Sequence, residues 1–530
     1  MSGLLDKQRT IAGPGFNRWL VPPAALAIHL SIGMAYGFSV FWLPLSRAIG
    51  ITQSAPGDWK ISTLGWMFTL FFVFLGSSAA VFGRWLERNG PRKAGVAAAF
   101  CWGGGFFISA LGVHLHQIVL LWVGSGIIGG CGLGLGYISP VSTLIKWFPD
   151  KRGLATGMAI MGFGGGAMIG APLADKLIKL YATPTSVGVK ETFLTLGVIY
   201  FVAMMVGAFL YRIPPAGWKP EGWTPPAQKK NAMITHGHVH VNGVQKIPQF
   251  WLLWAVLCLN VSAGIGIIGM ASPMLQEVFG GKLIGLDGPL ASLSAADKIR
   301  AASIGAGFAG LLSLFNIAGR IFWASLSDYI GRKRTYIIFF ALGAILYAAA
   351  PFAGGIKNVA LFVGLFCLIL TMYGGGFATI PAYLADLFGT QFVGAIHGRL
   401  LTAWSTAGIL GPVLVNYIRE YQIKRGVPNE AAYSVTMYIL AGLLLLGFLA
   451  NILVRPVAAK HFMTDEELAR ERRLGQEKGN AAAPAPAAAS LAWHPRQTSW
   501  VAVAVGWTLI GIPLAWGILQ TVEKAAALFK

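Results

Sequence analysis

Apolar runs long enough to cross a bilayer as helices, about 20 residues each, recur thirteen times along the chain. They fall at 20–45, 61–84, 94–113, 117–145, 153–175, 192–212, 250–275, 302–327, 335–353, 358–385, 397–418, 432–454 and 499–522. The longest polar segments between them are 213–249 in the middle, 276–301 and 456–498 near the end. The first run follows Lys7, Arg9 and Arg18 and is too long for a signal-peptide core. No small-residue cleavage site follows it, so it is expected to be a retained helix. The pattern predicts an all-α integral membrane protein.

Two stretches of the polar pattern repeat. After the second run stands Gly83-Arg-Trp-Leu-Glu87-Arg88-Asn-Gly90-Pro-Arg92-Lys93, and after the eighth Ala324-Ser-Leu-Ser-Asp328-Tyr-Ile-Gly331-Arg332-Lys333-Arg334. Glu87 and Asp328 are 241 residues apart, as are Gly90 and Gly331, and Pro140 and Pro381; Pro172 and Pro412 are 240 apart. A constant offset predicts two six-helix halves in the same orientation, an arrangement that places a substrate site at the interface of the halves. The expected division is a cytoplasmic N-terminus 1–18, an N-terminal half 19–212, a cytoplasmic central loop 213–249, a C-terminal half 250–455, a cytoplasmic linker 456–498 and an extra transmembrane helix 499–522. Glu87, Arg88, Gly90, Asp328, Gly331 and Arg332 are candidate gating residues, each acid meeting a basic residue or helix N-terminus in one of two states.

Composition agrees with the pattern. Of 530 residues 55% are hydrophobic and 12% charged, whereas soluble domains carry about 25% charged residues. That excludes a water-soluble enzyme. The net charge of +21 raises the question of nucleic acid. With the N-terminus placed in the cytoplasm, however, the inner segments hold 26 Lys and Arg and the outer ones 14. The excess is a topology signal, and no nucleic-acid partner is expected. The four cysteines lie inside apolar runs without CxxC spacing, so no disulfide framework or zinc site is indicated. No cofactor is expected. Gly162-Phe-Gly164-Gly165-Gly166 is not followed by Lys-Ser/Thr, which argues against a phosphate loop.

All 20 acidic residues fall in loops or at helix ends, while Arg320 lies inside the eighth run. A basic residue at that depth is a functional-site hypothesis by default. With no acid placed in the bundle, its expected counter-ion is the substrate. A guanidinium fork suits a carboxylate better than a sugar or a cation. Snorkelling to the inner surface is the alternative reading. Asn316, one turn earlier, shares its face. His29 and Tyr36 in the first run, Tyr137 in the fourth, Tyr373 and Phe377 in the tenth and Trp404 in the eleventh are further candidates for a substrate cage. For each aromatic alone, plain packing is the competing reading. His29 is a candidate proton carrier or a hydrogen-bonded buried histidine.

Gly134-Leu-Gly136-Tyr137-Ile-Ser-Pro140, Lys146-Trp147-Phe148-Pro149-Asp150-Lys151-Arg152-Gly153-Leu154-Ala155 and the Gly162–Gly166 cluster resemble the oxalate/formate antiporter family of the major facilitator superfamily, related to the monocarboxylate transporters. The paired inner loops resemble the superfamily signature. The resemblance spans roughly residues 20–455 and implies a major facilitator fold, exchange or co-transport of small carboxylates, and a substrate-binding role for Arg320. It places Tyr36, Tyr137, Tyr373, Phe377 and Trp404 near the cage. The oxalate exchanger carries a lysine in helix 11; Leu401-Thr402-Ala403-Trp404-Ser405 has none, which favours a monocarboxylate. Monocarboxylate transporters have an acid where Asn316 stands, so carboxylate-mediated proton coupling is in doubt, and coupling through His29 or the substrate's own proton stays open.

Beyond residue 455 come a mixed-charge stretch, Asp465–Lys478, an Ala/Pro linker, Asn480–Ser490, and the thirteenth run with Pro513. His236, His238 and His240 in the central loop are a conceivable metal cluster but are expected to be a solvated loop. The reading is an inner-membrane carrier of small organic anions working by alternating access. A proton-coupled monocarboxylate symporter and a carrier-derived anion sensor are the alternatives.

Overall fold

The computed structural model describes residues 3–51, 55–215, 217–223, 233–480 and 498–525. The Ala/Pro linker beyond Asn480 lies outside them. Among the described residues there is no named strand, and thirteen helices are long and apolar enough to cross a membrane. We number them α1 Arg18–Phe38, α2 Thr63–Asn89, α3 Pro91–His114, α4 Ile118–Trp147, α5 Arg152–Tyr181, α6 Val189–Leu210, α7 Pro248–Ile284, α8 Gly307–Ile330, α9 Arg332–Gly355, α10 Val359–Phe388, α11 Val393–Lys424, α12 Ser434–Leu453 and α13 Trp500–Glu523.

The termini follow from local chemistry. Gly90 and Gly331, 241 residues apart, have nearly the same backbone, φ +89°, ψ 163° and φ +88°, ψ 146°. Only glycine occupies that region at little cost, so each turn stops one helix and lets the next start directly. Helix α8 extends N-terminally beyond the apolar run, to Ala295, where Ser294 accepts a hydrogen bond from the Asp297 N–H and caps it. Helix α11 is built from two pieces, Val393–Leu400 and Thr402–Lys424.

The chain forms two compact units. The first comprises Met1–Phe250, Pro381–Thr402 and Arg455–Pro513, the second Trp251–Ile380, Ala403–Val454 and Leu514–Lys530. Within the first, α1 crosses α5 where Gly166 faces Gly33; a Cβ on Gly166 would come 2.6 Å from the Gly33 Cα. Such approaches replace hydrophobic drive, which lipid does not supply, by dispersion contact. Residues 235–247 of the central loop are ordered as a strap. Its Thr235 and Val239 N–H groups donate to the Asp386 and Phe388 carbonyls, at 2.8 and 2.9 Å. Val239 also bridges to Phe462 of the tail.

Within the second unit, α9 packs along α12, with Gly447 seated on the Phe340 ring. Glu277 of α7 is held by Arg419 of α11 through two hydrogen bonds and by the Tyr433 hydroxyl at 2.7 Å. Tyr336 and Tyr347 of α9 donate to the Gly376 and Ala263 carbonyls at 2.6 and 2.8 Å, which locks α9 against α10 and α7.

Candidate substrate-binding and gating sites

Arg320 is fully buried. Its Nε donates to Asn316 Oδ1 at 3.0 Å, one turn back on α8. The guanidinium carbon lies 5.7 Å from the Phe377 ring centroid, within cation–π range. Phe377 in turn packs against Trp404 at 4.4 Å and Tyr373 at 5.3 Å. Five of the sequence candidates are therefore gathered in the second unit as one constellation. Burial of Arg320 speaks against snorkelling.

The glycines of α10 explain how α8 comes so near. Gly374 stands against the Asn316 backbone and amide, and Gly376 against the Asn260 amide, which no larger residue would allow. Asn260 on α7 is 5% exposed, and its Oδ1 has no hydrogen-bond partner. Sequence reading passed it over, although a lone amide in an apolar run was the available signal.

The remaining three cage candidates are gathered in the first unit. His29 Nε2 is 3.1 Å from the Tyr137 carbonyl, and its Nδ1 is hydrogen-bonded to the Ala159 carbonyl. Its ring stacks on Tyr137 at 5.3 Å. Tyr36 meets Phe163 edge-on at 4.9 Å, and Tyr137 meets the same ring at 5.6 Å. His397, unremarked in the sequence, lies 5.7 Å from Tyr137.

The turns at Gly90 and Gly331 share a backbone but differ in their ion pairs. Glu87 accepts from Lys146 Nζ at 2.6 Å, and its Oε1 accepts from the Gly394 N–H at 3.1 Å, at the start of Val393–Leu400. A carboxylate there complements the positive end of that helix. Lys7 Nζ donates to the Glu87 carbonyl at 2.6 Å. Burial first, and the Lys146 ammonium second, hold Lys7 below its ordinary pKa of 10.5 despite the upward pull of Glu87. Arg152 pairs with Asp386 at 2.9 Å within the same unit. Asp328, by contrast, is held by Arg332 of its own turn at 2.5 Å, and Arg332 also donates to the Ser327 hydroxyl.

The three loop histidines do not converge. His236 is exposed, His238 stands against Gly389, and His240 Nε2 lies 3.4 Å from Glu471 of the tail helix Asp465–Asn480. Glu471 also meets Arg84 at 3.6 Å.

Comparison with known proteins gives the following. The profile of the Major Facilitator Superfamily matches residues 15–412 and, in a second placement, 288–523. The oxalate:formate antiporter of Oxalobacter formigenes is 25% identical over 396 residues, covering 74% of this chain and 83% of that protein. The apicoplast pyruvate carrier 1 of Toxoplasma gondii is 26% identical over 404 residues, covering 67% of this chain and 69% of that one. The crystal structure of the E. coli fucose:proton symporter FucP superposes with a TM-score of 0.58 at 13% identity, covering 83% of this chain and 100% of that one; this likeness is one of fold.

Proposed function

The chain belongs to the Major Facilitator Superfamily and is a multi-pass membrane transporter, not an enzyme; from that premise we propose that it carries small carboxylate anions by alternating access, with Arg320 binding the carboxylate. The observation that carries this reading is a guanidinium buried within an apolar helix, braced by Asn316 and set against the Phe377 ring. A charge so placed is costly and is kept where function needs it. The oxalate:formate antiporter and the pyruvate carrier, both matched over two thirds or more of this chain, transport the same chemical class by name. One arginine at the α8 site, with no lysine at 401–405, favours a monocarboxylate, moved by exchange of the oxalate/formate type.

The two halves, 19–212 and 250–455, would rock about this site, with the N-terminus on the cytoplasmic side of a cell's inner membrane. In that cycle Glu87 and Gly394 hold the inner end closed, and Asp328 with Arg332 forms the matching turn of the other half. A second reading, proton-coupled symport, draws support from the buried His29 between two carbonyl oxygens.

The deciding test is a thermal-shift panel of oxalate, formate, lactate, pyruvate and acetate on wild type and Arg320→Gln. One acid should raise the melting temperature of wild type and leave the variant unmoved. Equal stabilisation of both proteins would refute the assignment of Arg320. Uptake into liposomes holding only the purified protein separates a carrier from a sensor.

A further inference from the structure

His397 sits on Val393–Leu400, which packs in the first unit against α2 and α4. It is 1% exposed, and neither ring nitrogen has a hydrogen-bond partner. A neutral imidazole carries one donor and one acceptor, and each such group left unpaired in a dry site is destabilising. The Tyr137 ring is 5.7 Å away, and His29 stacks on that same ring. His29 itself faces two carbonyl oxygens, those of Ala159 and Tyr137. A neutral ring has one N–H for two acceptors; an imidazolium has two.

We propose that His29 and His397 form a proton-binding site. His29 holds one proton between its two carbonyls, and His397, neutral while docked, takes a second proton from inner-side water when Val393–Leu400 leaves α2 and α4. Two cationic rings sharing one tyrosine ring repel, so the docked pair holds a single proton and release takes up another. Acid therefore favours release of the inner end. The other charged or titratable side chains nearby on the packed elements are Arg84, Glu87 and Arg88 on α2 and Tyr137 and Lys146 on α4. Glu87 and Lys146 are paired with each other, and Arg84 lies beside Glu471. Arg399, on the same segment as His397, donates to Val241 and Asn242 of the strap. The inference rests on the transport reading only in treating this release as a step of the cycle.

The magnitude follows from linkage. With the released ring titrating near the ordinary histidine value of about 6.5, the weight of the released form rises about tenfold between pH 8 and pH 5.5. Hydrogen–deuterium exchange over 393–400, in nanodiscs and corrected for the intrinsic pH dependence, reads this opening constant on the full chain. Wild type should show the tenfold rise, and His397→Gln and His397→Leu should both show less than about a twofold one. A flat wild-type response, or the same rise in both variants, overturns the proposal. Nitrogen-15 spectra of the histidines at pH 7.5, assigned with His29→Gln, should show both His29 nitrogens protonated; a neutral His29 overturns the shared site. Carboxylate thermal shifts at pH 7.5 should persist in the His397 variants. Their absence from wild type would sink the substrate reading while leaving the proton site to its own two measurements.

Discussion

A methyl group added at Gly374 has nowhere to go: its Cβ would press on the backbone and amide of Asn316, the residue that orients Arg320. Overpacking of this kind costs about 1–3 kcal/mol. Gly374→Ala should lower the melting temperature and weaken the carboxylate thermal shift, whereas Gly364→Ala on the same helix, where nothing lies within 4 Å, should do neither. Asp150 offers a second residue-scale test. Burial, the largest single influence, would raise its carboxyl, but the hydrogen bonds and charge of Arg18, the backbone N–H of Asp150 and the charge of Lys151 together bring it below 3.8. A depressed carboxylate stabilises the fold above its unfolded value and loses that contribution as pH falls through the folded one. Asp150→Asn should therefore lower wild-type stability at pH 7 and flatten the loss of stability below about pH 4, measured by thermal melts across the acid range. At this scale Arg320 and His29 were legible, because a charge or an imidazole stands out in an apolar run. His397 was not, since it lies near the polar end of its run and its lack of partners is a property of three packed elements.

Glu87 ties the Gly90 turn to another helix through a side chain on the Gly394 N–H and a pair with Lys146. The Lys146 ammonium is 30% exposed and the Glu87 carboxylate 7%, so the interaction lies between a surface pair and a buried one. Removing the charge should free Val393–Leu400 by about 1–2 kcal/mol, the range of a helix cap or dipole partner. The expected result of Glu87→Gln is an opening constant over 393–400 raised about five- to thirtyfold at pH 7.5, with Asp328→Asn having no effect on that segment. Hydrogen exchange of the two variants checks it. The thirteen helices were legible from length and apolarity, and both glycine stops from the repeated loop. The N-terminal extension of α8 was hidden because its Ser294 cap stands beyond the apolar run. The central strap was hidden because its order comes from the Asp386 and Phe388 carbonyls, contacts distant in sequence.

The repeat at 240–241 residues made the two-half architecture readable, but it carries no trace in α13, which has no counterpart in either half. Only 11% of that helix's most apolar stretch is buried. In the first unit Trp507 donates to the Trp19 carbonyl at 3.1 Å and the Asn17 N–H donates to Thr498. In the second, Thr521 rests 3.0 Å from where a Gly310 side chain would begin. Two hydrogen bonds contribute about 1 kcal/mol each, and an apolar helix moved from protein to lipid gains or loses little. Truncation before residue 498 should then lower the melting temperature by a few degrees and leave the carboxylate thermal shift and its dependence on Arg320 intact. The measurement is the same acid panel on truncated and full-length chains. Were the shift to vanish from a well-folded truncated chain, α13 would belong to the transport machinery, and the two-half carrier would no longer account for binding by itself.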